Sequence, residues 1–407
     1  MSITRVIPIL IVLFLGYLGF SIVLPLFPHM FLDQHYPLLP FATSITIRQI
    51  LLGLLFAMYP LGQFLGCPLL GKLSDKYGRK PIILISLLIT IPAYISSALS
   101  ISFSIPALLY ISRFFCGLLE GNVTIAQASI ADISEDKHTK AKNYGWMMAL
   151  SSTAFFIGPL LSGKLTNPKI VSWFRYDTPF WGISILVLIG FFIVWTYFKD
   201  TYKPHPELHI DTKSILRSFT DGLKIKSLRK IYLSNFSIYL AMFFFLNFFS
   251  TYLVTSFSFN IIKLGRVNSY LSIFFIVAPF FFSRISKAFD PRKITMISGC
   301  FLALSLIIFV IPKNPHAYIF TLIPIGLCMA VGFAFTSIMI SEGVSKHLQG
   351  HALGTNQSLQ VCAEAFTAAI GGFLMAFYTT LPILVGAGCA VISAILLLCI
   401  KHHQSTN

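Results

Sequence analysis

The chain has 407 residues, of which 56% are hydrophobic and only 11% are charged. A soluble domain carries about a quarter charged residues, and a disordered chain combines low hydrophobicity with high charge, so both classes are excluded. The composition is that of an integral membrane protein. The net charge of +16 does not indicate nucleic-acid binding, because the basic residues cluster between long apolar runs, as they do in cytoplasmic membrane loops.

Continuous apolar runs without strand-like alternation predict helices and not a β-barrel. A spanning helix needs roughly 20 apolar residues, and twelve such runs are present. We therefore expect an all-α membrane protein with 12 transmembrane helices in two pseudo-symmetric six-helix bundles. The first run lacks a small-residue cleavage site, which indicates a retained span. The predicted spans are 6–32, 46–70, 81–102, 105–128, 141–164, 179–198, 231–256, 267–286, 294–312, 316–341, 352–377 and 381–400.

The distribution of Lys and Arg predicts the orientation in the membrane. With the N-terminus inside, 22 of the 30 basic residues fall in inner segments and seven in outer loops, while Arg113 lies within a span. Inner loops carry the excess of basic residues. Both termini are therefore expected in the cytoplasm, and the protein is expected in the bacterial inner membrane.

A charged stretch, 199–230, separates the two groups of six spans. We expect an N-terminal bundle at 1–198, a cytoplasmic linker at 199–230 and a C-terminal bundle at 231–407. Four apolar linker residues share one helical face, which predicts a short amphipathic helix on the inner membrane surface. These residues are Ile215, Leu216, Phe219 and Leu223.

The most specific motif is the decapeptide between the second and third spans, Gly71-Lys-Leu-Ser-Asp75-Lys-Tyr-Gly78-Arg79-Lys80. Its two glycines permit a tight turn, and Asp75 can pair with the neighbouring basic residues. A weaker counterpart at 283–292 lies between spans eight and nine, which indicates a duplicated half.

This spacing resembles the signature loop of the major facilitator superfamily, and the six-plus-six layout is similar to that family over essentially the whole chain. The resemblance implies two bundles that rock about a cavity near the bilayer midplane, lined by spans one, four, seven and ten. It also implies a conformational switch in the loop, where Asp75 and Arg79 would brace one bundle against the other. The loop residues expected to switch are Gly71, Asp75, Gly78, Arg79 and Lys80.

Two further stretches resemble the drug:proton antiporters of the tetracycline and multidrug-resistance kind. In span four, Arg113-x-x-x-Gly117 precedes Ile-Ala-Asp132. In span five, Gly158-Pro159 is followed by Ser162 and then Gly163, where the family usually has two glycines. Small residues there allow close helix approach, and Pro159 removes a backbone donor. The switch residues that these motifs imply are Asp132, Gly158, Pro159 and Gly163; an ordinary kinked packing helix is the alternative for span five.

The first span, with Gly16, Gly19, Pro25 and Pro28, is similar to the first span of tetracycline exporters. In that pattern an acid stands where this chain has Gly16. A proton-carrying acid must therefore be sought elsewhere.

Of the 14 acidic residues, only Glu120 and Glu364 lie deep within predicted spans. An ionised carboxylate in the bilayer is unfavourable, so each must face protein or a watery cavity. Arg113, Glu120 and Gln127 share one polar face of span four by helical spacing. Glu120 is the leading proton-coupling acid, and a buried structural role is its alternative. The candidate proton-coupling or substrate-binding residues are Glu120, Glu364, Arg113, Asn122, Gln127, Asn247, Gln357 and Gln360.

The chain has no phosphate-binding loop, nucleophile elbow or metal-ligand pattern, so we expect neither an enzyme nor a cofactor. The expected function is proton-coupled efflux of a small organic molecule by a monomeric secondary transporter. An alternative is transport of a polar, carboxylate-rich metabolite such as a siderophore, which Arg113 and the missing first-span acid favour. A non-transporting membrane sensor or scaffold is the alternative from another class.

Overall fold

The structure, a computed structural model, describes residues 6–33, 36, 38–134, 137–200, 204, 207, 220–225, 227–312, 317–345 and 348–399. Within these ranges the regular structure is helical, and eleven helices are long and apolar enough to cross a membrane. The fourth predicted span is not among these eleven, and with it the number of spans is twelve. It divides at Glu120 into two helices that are each too short to count alone. The all-α membrane class predicted from the composition is confirmed.

The described helices fall into two halves, one before and one after the charged stretch. The N-terminal half contains α1 (Ile7–Ser21), α2 (Val23–Leu32), α3 (Ile45–Tyr77), α4 (Arg79–Ser102), α5 (Pro106–Leu119), α6 (Gly121–Ile133), α7 (Lys137–Leu165) and α8 (Thr178–Tyr197). The C-terminal half contains α9 (Arg229–Phe257), α10 (Ile261–Val277), α11 (Pro279–Ala288), α12 (Pro291–Val310), α13 (Ala317–Glu342), α14 (Gln349–Phe377) and α15 (Leu381–Leu398).

The first span consists of α1 and α2, which meet at Ile22. Pro25 has no N–H, so the carbonyl of Ser21 loses its usual partner four residues later, and the helix is interrupted there. The Ser21 hydroxyl in turn donates to the carbonyl of Ala154 in α7, 3.0 Å away. Span one is thereby attached to span five.

The predicted loop at 71–80 is mostly helical, and this boundary prediction was wrong. Helix α3 continues to Tyr77, Gly78 alone interrupts it with φ of +100°, and α4 begins at Arg79. Polar, helix-compatible residues continue α3 past its apolar run, which hydropathy alone does not reveal. Of the predicted linker helix, Ile215, Leu216 and Phe219 lie outside the described residues.

Each half has its own apolar core, one around Leu13, Leu26 and Phe180 and the other around Met242 and Phe248. The N-terminal core also includes residues of the other half, at the end of the bundle opposite Gly78. There α3 and α14 approach closely: a Cβ on Gly53 would lie 2.7 Å from the Cα of Gly372. The two halves are therefore packed together at this end.

At the other end the halves are more open. In the first part of α7, the residues at 145, 146, 148 and 149 are all exposed. In the most apolar 18-residue stretch of α7, only 22% of the residues are buried, whereas 78% are buried in the corresponding stretch of α9. The bundle is closed at the end opposite Gly78 and less tightly packed at the Gly78 end.

Candidate transport site

Two Gly-x-x-x-Gly pairs place the polar residues of span four against span two. Gly62 and Gly66 of α3 pack on the backbone of α5, and Gly117 and Gly121 pack back on α3. A Cβ on Gly121 would lie 2.7 Å from the carbonyl oxygen of Gly66. Glycine at these positions lets two transmembrane backbones touch. Glu120 is consequently fixed at the contact between the two spans.

Arg113 is buried in this contact, with 1% of its surface exposed. Its guanidinium carbon lies 4.8 Å from the ring centroid of Tyr59 and 5.7 Å from that of Phe27. The aromatic rings attract the cation. Its Nη1 atom and the Tyr59 hydroxyl are buried without a hydrogen-bond partner among the described residues. The Tyr59 side chain nevertheless lies close to the Glu120 carboxyl group, and the Arg113 guanidinium lies close to Tyr94.

A small cavity between the two halves, which we call the interface cavity, collects Arg113, Asn247 and Glu364. Its N-terminal wall comes from spans one, two and four, and its C-terminal wall comes from spans seven and eleven. Span ten, which the resemblance implied, contributes no side chain to it. The lining residues are Phe20, Val23, Leu24, Phe27, Leu55, Phe56, Tyr59, Arg113, Asn247 and Glu364.

Glu120 faces a different space, the N-half cavity, which lies between spans one, three, four and six of the N-terminal half. Gly16 makes room for it, because a Cβ there would lie 2.9 Å from the Glu120 carboxylate. Arg113 and Glu120 therefore open onto different cavities, and the single polar face expected for span four is not continuous: Gln127 is half-buried and lines neither cavity. The N-half cavity is lined by Val12, Leu15, Gly16, Leu87, Thr90, Tyr94, Cys116, Leu119, Glu120, Asn122 and Val187.

The candidate residues of the C-terminal half fall into two groups. Asn247 and Glu364 line the interface cavity, and Gln357 and Gln360 do not. Glu364 is buried, and it lies close enough to Glu120 for their charges to interact across the two halves. Asn247 donates to the hydroxyl of Thr367, 3.3 Å away. Gln357 is exposed and Gln360 is half-buried, and neither lines the interface cavity with Glu364.

The signature residues form a charged cluster at the Gly78 end. The Arg79 guanidinium contacts the carboxylates of Asp75 at 2.7 Å and Asp132 at 3.2 Å, and it donates to Ser74. These partners all belong to the N-terminal half, whereas the expected brace would join the two halves.

The other signature residues serve the start of α4. The backbone N–H of Lys80 donates to Asp200, 3.0 Å away, so Asp200 caps the helix that Gly78 cannot cap. The Lys80 ammonium donates to the carbonyl of Trp195, 2.7 Å away. Gly71 has no close neighbour that a side chain would meet.

The span-five motif makes two different contacts. Pro159 and Gly163 face α10: the Pro159 carbonyl contacts Gly265, and a Cβ on Gly163 would lie 3.1 Å from the Cα of Ile262. Gly158 instead packs on Ser21 of the first span. Gly158 therefore packs within its own half, whereas Pro159 and Gly163 pack against the other half.

Tyr59 was not among the residues predicted for the site. It lies within an otherwise apolar segment, and a single tyrosine there is not distinctive. The paired Gly-x-x-x-Gly spacings in spans two and four were the available signal, because they indicate that residue 59 packs against the turn that carries Arg113.

The family model of the Major Facilitator Superfamily matches residues 9–260 and 231–406 of this chain. The quinolone resistance protein NorA of Staphylococcus aureus is 26% identical over 97% of this chain and 95% of its own length. The class H tetracycline resistance protein of Pasteurella multocida is 25% identical over 98% of this chain and 96% of its own length.

Solved structures share the fold. The human organic anion transporter MFSD10 has a TM-score of 0.71 at 19% identity, covering 97% of this chain and 99% of its own. A D-xylose-proton symporter has a TM-score of 0.75 at 13% identity, covering 98% of both chains. The family match, the resistance-protein relatives and the helical bundle agree with one another. The chain therefore belongs to the major facilitator superfamily, as a multi-pass secondary transporter similar to its drug:proton antiporters.

Proposed function

We propose that this protein exports a small organic molecule across the bacterial inner membrane in exchange for protons, with Glu120 as the proton-carrying acid. The single observation that carries the assignment is the position of Glu120. It is a buried carboxyl group beside Gly16, within electrostatic range of Arg113 on its own span and of Glu364 in the other half.

We infer the orientation from the basic residues, and we infer export from the antiporter-like motif of span five. The Gly78 end carries the positive-inside excess, so it is the cytoplasmic end and the packed end faces outward. The described state is then closed outside, with its looser end towards the cytoplasm where an exported substrate enters. We propose that a single chain carries out this cycle.

Proton coupling follows from electrostatics. A low-dielectric site disfavours an ionised carboxyl group, so a conformational change that alters the surroundings of Glu120 also alters its affinity for a proton. In the outward-facing state it takes a proton, and in the inward-facing state it releases the proton beside the Arg113 cation. Each cycle thus couples one conformational change to proton entry.

The interface cavity favours an aromatic or otherwise apolar substrate. Most of its walls are Phe, Leu and Val side chains, and its polar groups are restricted to Arg113, Asn247, Glu364 and the Tyr59 hydroxyl. A few fixed polar groups in an apolar pocket orient a small organic ligand. The closed state seen here must expand to accept one.

A second candidate is transport of a carboxylate-bearing metabolite. The observation that favours it is the buried Arg113, whose Nη1 atom has no hydrogen-bond partner among the described residues. A carboxylate is a strong, geometrically matched partner for a guanidinium. Protonation of Glu120 would leave Arg113 free for such an anion, so proton and anion would move together.

The test is transport in proteoliposomes with an imposed pH gradient, using a matched panel of cationic, neutral and anionic aromatic compounds. The proposal expects gradient-driven export of at least one compound by the wild type and none by Glu120→Gln. Accumulation of anions with the proton gradient would favour the metabolite transporter. No transport of any compound, in either direction, would favour a sensor or scaffold.

A further inference from the structure

The N-half cavity combines a titratable acid with an unsatisfied acceptor. Glu120 and Asn122 line it together, and the Asn122 amide oxygen is buried without a hydrogen-bond partner among the described residues. The cavity has room for about one water molecule. A buried amide oxygen without a donor is unfavourable, and a water held between Glu120 and Asn122 would satisfy it.

The same cavity offers further polar atoms. Two hydroxyl-bearing residues of α4, Thr90 and Tyr94, also line it. The Thr90 hydroxyl donates to the carbonyl of Ser86, 2.7 Å away, which leaves its oxygen free to accept from a water. A water with several such partners is stable in a protein interior.

The two cavities differ in which groups can use them. The interface cavity lies between the halves and is lined by Arg113 and Glu364, but not by Glu120. The N-half cavity is enclosed by helices of one half, so it does not open when the halves separate. An organic substrate is many times larger than a water molecule and cannot enter it, whereas a proton can.

Among the residues that the structure describes, Glu120 is also the only carboxyl group that lines the N-half cavity. Other ionisable groups act on it from neighbouring helices: Tyr17, Tyr59, Cys67, Tyr94, Arg113, Cys116 and, from the other half, Glu364. Of these, Tyr94 and Cys116 line the N-half cavity, whereas Tyr59, Arg113 and Glu364 line the interface cavity.

From this geometry we propose that Glu120 exchanges its proton through a water in the N-half cavity, along a route separate from the substrate. The inference rests on the proposed role of Glu120 as the proton-carrying acid. In the exchange, the carboxyl group gives its proton to the water held by Asn122, and the same water gives one of its own protons to the other carboxyl oxygen. The water carries the original proton away when it leaves the cavity. No bond to carbon changes and no co-reactant is needed. Substrate and proton then influence each other through the conformation and through Arg113, and they do not occupy the same space.

The test needs no substrate. The infrared carbonyl band of protonated Glu120, identified by its absence in Glu120→Gln, is followed after purified protein at acidic pH is mixed into D2O. Asn122→Leu and the isosteric Thr90→Val should each slow deuteration of this band by roughly tenfold or more, the effect of one lost hydrogen bond. The matched control, Asn247→Leu in the interface cavity, should leave the rate unchanged.

The outcomes separate the two levels of the proposal. Unchanged deuteration in both Asn122→Leu and Thr90→Val, or equal slowing in Asn247→Leu, would overturn the separate route. A spectrum that loses no carboxyl band in Glu120→Gln would contradict the role of Glu120 itself. Thr90→Val keeps the shape of the side chain, so it provides a reading if Asn122→Leu does not fold.

Discussion

The Ser272 hydroxyl of α10 lies 3.0 Å from the carbonyl oxygen of Phe155 in α7, and its single proton is shared between that carbonyl and the carbonyl of Asn268 in its own helix, also 3.0 Å away. The Phe155 carbonyl is the one that Pro159 leaves without a helical partner, because Pro159 follows four residues later and has no N–H. Ser269 donates to the next carbonyl, that of Phe156, at 2.6 Å. The proline of the span-five motif therefore creates an acceptor that the other half of the molecule uses.

We expect the Ser269→Ala, Ser272→Ala double variant to weaken the closed outer contact. Each hydrogen bond contributes about 1 kcal/mol, so the balance between outward-closed and outward-open states should shift several-fold or more towards open. Spin-label distances across α7 and α10 measure this shift. Ser184→Ala in α8 is the control, since the Ser184 hydroxyl bonds only its own helix; an equal shift there would refute the specific role of the Phe155 contact.

Gly265→Leu and Gly158→Leu should have different effects. Gly265 faces the Pro159 carbonyl across the halves, so a leucine there should separate them and increase passive leak of a small solute from proteoliposomes. Gly158 faces Ser21 within one half, so a leucine there should chiefly lower the melting temperature. If Gly158→Leu leaks as much as Gly265→Leu, the assignment of these faces is incorrect.

The sequence was sufficient to predict the spans but not how the helices are rotated. Apolar runs of about 20 residues reveal spans directly, whereas the Gly-Pro pair in span five does not say which face meets which neighbour. For that reason the sequence indicated close packing around Gly158 and Pro159 but not that the two residues contact different halves. The division of span four at Glu120 was not predicted either, since no proline lies between Pro106 and Ile133 to indicate a break.

The spacing of residues along span four does not predict that Arg113 and Glu120 line two different cavities. Arg113 and Glu120 are seven residues apart, which places them on one side of a helix. Gly16 nevertheless lets Glu120 lie against span one while Arg113 turns towards Tyr59. Such a separation depends on which neighbouring side chains are missing, and one sequence does not contain that information.

Asp75→Asn should slow the transport cycle while leaving substrate affinity within a few-fold. Asp75 pairs with Arg79 at the Gly78 end and is not among the described residues that line the interface cavity. Its loss weakens a charge cluster that also holds Asp132, so Asp132→Asn should act in the same direction. Turnover and equilibrium binding, measured on the same preparations, decide the matter: a large loss of affinity with normal turnover would place Asp75 in the binding site.

Arg48→Gln should destabilise the protein. The Arg48 guanidinium is fully buried and donates to five backbone carbonyls of the segment between spans one and two, those of Phe31, Asp33, Leu39, Pro40 and Thr43. Leaving several of them unsatisfied should remove at least about 2 kcal/mol of stability. Thermal unfolding in detergent measures this loss, with the exposed Arg266→Gln as control. Equal melting temperatures for the two variants would contradict it.

Glu364→Gln tests whether the two buried acids share the proton. If Glu120 alone carries it, Glu364→Gln should retain gradient-driven transport at a changed rate, because the charge that interacts with Glu120 is lost. A complete loss of driven transport would show that both acids are required. The double variant with Glu120→Gln should then be no worse than either single variant.

The measurement that tests the account most directly compares two modes of transport by Glu120→Gln in proteoliposomes. Glutamine keeps the shape of the side chain but cannot titrate, and substrate exchange at equal pH needs no net proton movement. We predict that pH-gradient-driven export is abolished while exchange of labelled for unlabelled substrate continues near the wild-type rate. Full gradient-driven accumulation by Glu120→Gln would contradict the account, and the proton site would then have to be sought at Glu364 or outside the membrane core.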